Sequence, residues 1–185
     1  MTDPIARQRR KLLFLAALFF LPIAASFTLY YATSWRPVGK SNHGELIVPA
    51  RPVPEVPDSL RGKWVLAYVG DGRCDADCQR SLVFARQTRL SLNQEMDRVV
   101  RVLFATTDCC DQDYLDREHQ GLKVLDLGDA AAREPLLAVL PAQDREHSLF
   151  IIDPLGNLVM RYDTRDDPRG LLTDLKKLLQ LSHIG

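Results

Sequence analysis

Four cysteines in 185 residues are too few for a small scaffold held together by disulfides. The 24 basic and 24 acidic residues cancel, so no general positive field gathers nucleic acid. There is one long apolar run rather than several, which excludes a polytopic membrane protein. No G-x-x-x-x-G-K-[ST] phosphate loop, G-x-S-x-G elbow, H-E-x-x-H pair or internal repeat occurs, so the common motifs for phosphate, acyl and zinc-hydrolase chemistry are missing. What is there reads as globular: 46% hydrophobic and 26% charged residues exclude a disordered acidic chain. The length suits one domain of ordinary size plus an appendage.

The appendage shows in the charge distribution. Residues 1–40 hold six basic residues (Arg7, Arg9, Arg10, Lys11, Arg36, Lys40) and one acid, Asp3. The remainder keeps 18 of the 24 basic and 23 of the 24 acidic residues. Between Leu12 and Trp35 no charge interrupts the run LLFLAALFFLPIAASFTLYYATSW, and about 20 helical residues cross the hydrocarbon layer. Cations precede the run, and Tyr30, Tyr31 and Trp35 lie near its end. That pattern predicts a transmembrane anchor over 12–35, with residues 1–11 cytoplasmic and the body on the far side. In a bacterium this means the inner membrane and the periplasm. The competing reading is a cleaved signal peptide, supported by Ala24-Ala25-Ser26. The apolar run continues through Tyr31, which favours retention.

Five prolines (Pro37, Pro49, Pro52, Pro54, Pro57) follow. They predict a semi-rigid tether over 36–57 or a loop wrapped on the domain, with the globular domain over 58–185. There Lys63–Val69 and Arg98–Thr106 read as buried strands, and Cys74–Asn93 between them as a helix. Asp108–Glu118 is polar loop with a short helix, Leu122–Leu127 a short apolar segment of open type, and Ala130–Leu140 a helix. Ser148–Asp153 and Leu158–Tyr162 form a hairpin about the turn Asp153-Pro154-Leu155-Gly156-Asn157, and Leu171–Leu181 closes as a helix. A parallel βαβ unit followed by a hairpin and a helix predicts an α/β, thioredoxin-like fold.

The sharpest chemical signal is Cys74-Asp75-Ala76-Asp77-Cys78, which follows a strand and a glycine loop and opens a helix. Positions i and i+4 share a helix face, so the sulfurs can meet one ion or each other. Two structural cysteines would look the same. Context favours function, because ligands gather at the carboxyl ends of parallel strands. The expected topology sets the start of Ser148–Asp153 beside the end of Lys63–Val69, so His147 should face the Cys74–Cys78 loop. Asp75 and Asp77 oppose thiolate formation and favour a bound cation; equally, they are ordinary first-turn acids complementing the helix dipole. Cys109-Cys110 lies on the same sheet edge as Cys74. Adjacent cysteines rarely bridge each other, so these two serve as a thiol shuttle, an accessory metal ligand pair, or incidental small residues. His43, His119 and His183 have no comparable setting, and His43 and His183 are expected in solvent. Arg161, Arg165 and Arg169 with Asp163, Asp166, Asp167 and Asp174 read as a mixed, solvated surface.

Gly62-Lys63 entering a strand, Cys74-x-x-x-Cys78 after it, and Glu146-His147-Ser148-Leu149-Phe150-Ile151-Ile152-Asp153-Pro154-x-Gly156 together resemble the Sco/SenC family over roughly residues 55–181. These are thioredoxin-like copper proteins that assist cytochrome c oxidase assembly. This chain resembles a divergent member, with Asp75 and Gln79 where the family favours proline. The resemblance implies one copper ion, Cu(I) or Cu(II), held by Cys74, Cys78 and His147. It also implies an oxidase subunit or its assembly factors as partner. Two thiolates and an imidazole suit copper, and Zn²⁺ would take the same three with a water. Three functions stay open: a membrane-anchored copper chaperone or thiol-disulfide reductase acting through Cys74 and Cys78, a metal-free thioredoxin-like oxidoreductase, and a non-catalytic oxidase-associated interaction module.

Overall fold

The computed structural model describes residues 4–32, 42–54, 56–182 and 184, in a chain that divides into two compact units, Met1–Ser41 and Asn42–Gly185. The described part of the first is one helix, α1 (Pro4–Ala32). Its segment Arg7–Ala32 is long and apolar enough to cross a membrane. From Leu12 onward the helix is apolar all round rather than on one stripe, the pattern of a helix surrounded by lipid. Pro22 lies inside it, as membrane helices tolerate. Trp35 and the end of the expected span lie outside the described residues, as does His183.

The second unit runs β1 (Glu45–Pro52), β2 (Trp64–Gly70), α2 (Ala76–Leu90), β3 (Val99–Ala105), α3 (Gln112–Glu118), β4 (Lys123–Asp126), α4 (Ala130–Val139), β5 (Ser148–Ile152), β6 (Asn157–Asp163) and α5 (Pro168–Leu181). The strands form one sheet in the order β1-β6-β5-β2-β3-β4. β2, β3 and β4 are parallel, β5 is antiparallel to β2, and β6 and β1 complete an antiparallel edge. This is a mixed α/β thioredoxin-like fold, as the element pattern predicts. Leu122–Leu127, of open type in the sequence, contributes β4.

Both faces of the sheet are covered, which explains why β2 is apolar throughout instead of alternating. Trp64, Leu66 and Tyr68 point to one face and pack with Leu82 and Phe84 of α2 and Leu171 and Leu175 of α5. Val65, Ala67 and Val69 point to the other and pack with Leu136 of α4, Phe104 and Phe150. Each fully buried leucine contributes about 1.5–3 kcal/mol of transfer free energy.

The proline-containing segment differs from the expected tether. Glu45–Pro52 pairs with β6, from Glu45 opposite Arg161 to Pro52 opposite Asn157, with a register shift between Leu46 and Arg51. Prolines lack an N–H and so are accepted on an edge strand beside an irregularity. Ile47 and Val53 are buried on the face that holds Leu158 and Leu60. Just ahead of the strand, the N–H groups of His43 and Gly44 donate to Asp174 Oδ2 on α5 at 2.7 and 2.8 Å. Asp174 is buried instead of lying on a solvated surface. His43 is exposed, as expected, and its Nδ1 lies 3.2 Å from Asp174 Oδ1.

Candidate functional site

The strand register builds the site. Trp64 lies opposite Val99 in the parallel pair, and Tyr68 opposite Leu149 in the antiparallel one. The end of β2 therefore meets the start of β5. The loop from β2 into α2 carries Cys74, and the 3₁₀ turn Arg145–His147 leads into β5. That turn packs against α2, so the 68 residues between Cys78 and His147 are closed by tertiary structure.

Cys74 stands before the helix, not within it as the sequence spacing suggests. It has φ +53°, a left-handed conformation uncommon for non-glycine residues. Asp75 follows as N-cap, its Oδ1 accepting from Cys78 N–H at 3.0 Å; such a cap is worth about 1 kcal/mol. This turn brings the Cys74 and Cys78 Cα atoms to 5.0 Å, and the two sulfurs form a disulfide. Both residues are 1% exposed and belong to the core cluster with Tyr68 and Leu82.

His147 faces this turn, as the topology predicts. Its ring is 20% exposed, with Nδ1 3.7 Å from Asp77 Oδ1, on the residue preceding Cys78. Nδ1 is buried and has no hydrogen-bond partner. The backbone of the turn is fixed from several sides. His147 C=O accepts from Thr164 N–H at 2.7 Å and from Thr164 Oγ1 at 2.9 Å. Ser81 of α2 contacts Thr164 Oγ1 at 3.2 Å, and Tyr68 O–H donates to Glu146 C=O at 3.0 Å. Burial, then the nearby charges of Asp75, Asp77 and Glu146, push the Tyr68 phenol well above its ordinary value, so it stays a donor. Tyr68, Ser81 and Thr164 are positioning residues that sequence reasoning missed. The one available signal was a tyrosine near the carboxyl end of an otherwise apolar strand.

Cys74, Cys78 and His147 are thus gathered at one end of the sheet. Among the described residues, however, no group of three or more His, Cys, Asp or Glu side chains is arranged to hold a metal ion. With both sulfurs bonded to each other, neither offers a thiolate. Beside Asp75 an open groove runs past the carboxyl ends of β2 and β3, lined by Tyr68, Asp71, Thr107, Arg133 and Glu146.

The second cysteine pair also differs from expectation. Cys109 and Cys110 are joined to each other as a disulfide across a cis peptide bond that leaves their Cα atoms 3.1 Å apart. Their loop lies on the Cys74 loop: Gly72 N–H donates to Thr107 C=O at 2.9 Å, and Asp111 N–H to Gly72 C=O at 3.2 Å. A Cβ on Gly72 would fall 2.5 Å from Cys109 Cα, so only glycine permits this approach. His119, by contrast, is buried away from the site, its Nε2 3.0 Å from Tyr114 Oη.

Solved structures share this architecture. Apo Sco1 from Thermus thermophilus superposes with a TM-score of 0.60 at 19% identity, covering 75% of this chain and 98% of its own. Bradyrhizobium japonicum ScoI with copper bound gives 0.51 at 22% identity, covering 65% and 88%. Yeast Sco1 with copper bound gives 0.54 at 16%, covering 65% and 80%. At these identities the likeness establishes a Sco-like thioredoxin fold. No curated protein matches the sequence. Residues 64–182, from the first residue of β2 to the residue after α5, match the family described as transmembrane-like, thioredoxin-like, C-terminal domain, and the chain belongs to that family.

Proposed function

We propose that this chain is a membrane-anchored, Sco-type thiol protein that carries copper as cargo for the assembly of cytochrome c oxidase, with Cys74 and Cys78 as its redox-active pair. The observation that carries this reading is the convergence on one helix turn of a disulfide and of a buried imidazole nitrogen without a partner. Two electrons and two protons convert the disulfide into two thiols. The reduced pair then offers two soft sulfur donors, and His147 Nδ1 a nitrogen, a set suited to copper. Asp77 places negative charge beside a cation so held. Tyr68 and Thr164 hold the 3₁₀ turn, so His147 need not be ordered when the metal arrives. The basic residues in the first turns of α1, ahead of its apolar run, support a cytoplasmic N-terminus and a periplasmic domain in a bacterial inner membrane, and the copper-bound Sco structures of the same fold support the cargo.

Copper(I) titration of the reduced full-length chain in detergent tests this, using a chromophoric chelator as competitor. The expected result is one equivalent bound, lost in Cys74→Ser and in Cys78→Ser. His147→Ala should weaken binding at least about tenfold, or roughly 1.4 kcal/mol. Failure of the reduced wild type to bind stoichiometrically overturns the copper assignment.

One observation favours a second reading, a metal-free thioredoxin-like oxidoreductase: Cys74 and Cys78 are joined to each other as a disulfide at the start of α2. Reversible exchange of Cys74–Cys78 with dithiols, together with no copper binding, selects it. If neither occurs, the domain acts as an oxidase-associated interaction module.

A further inference from the structure

The function proposed above leaves two features unexplained. Its disulfide is buried, with Cys74 and Cys78 each 1% exposed, whereas thiol-disulfide exchange needs an attacking thiolate in line with a sulfur. A protein dithiol has no direct approach to sulfurs enclosed this way. The chain also spends its other two cysteines on Cys109-Cys110, where Cys109 is exposed and Cys110 half-buried.

The placement of the second pair answers the first difficulty. The segment 107–111 is bonded to the Cys74 loop through both polar backbone groups of Gly72. Arg73, the neighbour of Cys74, is ion-paired with Asp108, the neighbour of Cys109. Cys110 packs on the core cluster that contains Cys74 and Cys78. On the outside, Cys109 and Cys110 line a shallow surface depression with Arg73, Asp108 and Asp111. One pair is therefore open to solvent and in touch with the cluster that encloses the other.

We infer that Cys109-Cys110 is a relay that passes two electrons from an external protein dithiol to the buried Cys74–Cys78 disulfide. This rests on the reading of Cys74 and Cys78 as a redox-active pair and names the route by which they are reduced. A thiolate of the donor attacks Sγ of Cys109, breaking the Cys109–Cys110 bond and releasing the Cys110 thiolate. The donor's second thiol then displaces Cys109, so the donor leaves as a disulfide and the relay is a dithiol. Next the Cys110 thiolate attacks Cys74, breaking the Cys74–Cys78 bond and forming a Cys110–Cys74 mixed disulfide. Cys109 resolves it, restoring the Cys109–Cys110 bond and freeing Cys74. Two electrons and two protons have moved inward; the donor is oxidised, Cys74 and Cys78 are reduced, and the relay is unchanged.

The test uses the oxidised full-length chain in detergent, with differential alkylation and peptide mass mapping of each cysteine over time. The reductants are reduced thioredoxin, a protein dithiol, and tris(2-carboxyethyl)phosphine, small enough to reach buried sulfur as the domain breathes. In the Cys109→Ser/Cys110→Ser variant, reduction of Cys74–Cys78 by thioredoxin should slow at least about tenfold, while reduction by the phosphine should stay within about twofold of wild type. In the Cys109→Ser variant, which keeps the Cys74–Cys78 bond and lacks the resolving thiol, attack of the Cys110 thiolate on Cys74 releases the Cys78 thiolate, and a Cys110–Cys74 cross-linked peptide should be detected on alkylation without reductant. Unchanged thioredoxin kinetics in the first variant overturn the relay and leave the redox role of Cys74 and Cys78 standing. Failure of both reductants to open Cys74–Cys78 in the wild type overturns the relay and the function proposed above together. A first variant slowed equally with both reductants also overturns the relay, since the substitutions have then altered the fold or the buried pair itself.

Discussion

His119 shows what burial does to a single titratable side chain. Its Nε2 has Tyr114 Oη as partner, while Nδ1 has none and is enclosed. Burial first, and then the guanidinium groups of Arg101 and Arg86, hold its pKa below the ordinary 6.5, with Glu118 opposing weakly. The unfolded chain therefore binds a proton that the folded chain refuses, and stability rises with pH across that interval. The contribution of neutral His119 is complete above the unfolded value near 6.5 and is lost as pH falls from there toward the depressed folded value. The expected outcome is a lower chemical-denaturation midpoint at pH 5.5 than at pH 7.5, with the difference reduced in His119→Gln. An unchanged difference in that variant would assign the acid sensitivity elsewhere.

At the scale of elements, β1 matters most for where the domain begins. It caps the free edge of β6, and an uncovered edge is an invitation to pair with another chain. It also delivers Ile47 to the core, and the residues ahead of it supply two N–H donors to the buried carboxylate of Asp174. Truncating Ile47 to alanine in the full chain should cost about 2–3 kcal/mol, read as a lower thermal midpoint. A midpoint unmoved by Ile47→Ala would mean that β1 is not integral to the domain. The N-terminus of α2 is the other element of consequence: the left-handed Cys74 and the Asp75 cap turn the chain sharply enough for Cys74 to reach Cys78 within one turn.

For the whole molecule, α1 and the thioredoxin-like unit obey different solvents. The domain hides its apolar residues on both faces of a sheet, whereas α1 presents Leu12, Leu18, Leu21 and Phe27 on its surface. A charged side chain at the centre of a membrane-spanning helix costs about 2.5–3.5 kcal/mol of insertion free energy. The double variant Leu18→Arg/Leu21→Arg should therefore shift a substantial fraction of the chain from the carbonate-resistant membrane pellet to the soluble fraction. Wild-type protein that is released by carbonate would show that α1 does not anchor it.

Sequence alone determined whatever depends on neighbours along the chain. The apolar run of α1, the all-apolar β2, the Pro-Gly turn between β5 and β6, and the leucines of α5 are local patterns with one economical reading. The order of these elements already implied that His147 would approach Cys74 and Cys78. Tertiary structure decided the rest, because it turned on contacts between segments far apart in sequence. Proline-containing Glu45–Pro52 became a strand because β6 offered an edge. Asp174, a charged residue among the leucines of α5, was buried because backbone donors arrived from His43 and Gly44. The carbonyl of His147 was fixed by Thr164, a residue with no signature of its own. Cys109-Cys110 came to lie on the Cys74 loop through Gly72, whose missing side chain leaves room for a backbone 37 residues further along. Helix and strand periodicity records which face a residue presents; it carries no record of which distant backbone group will meet it there.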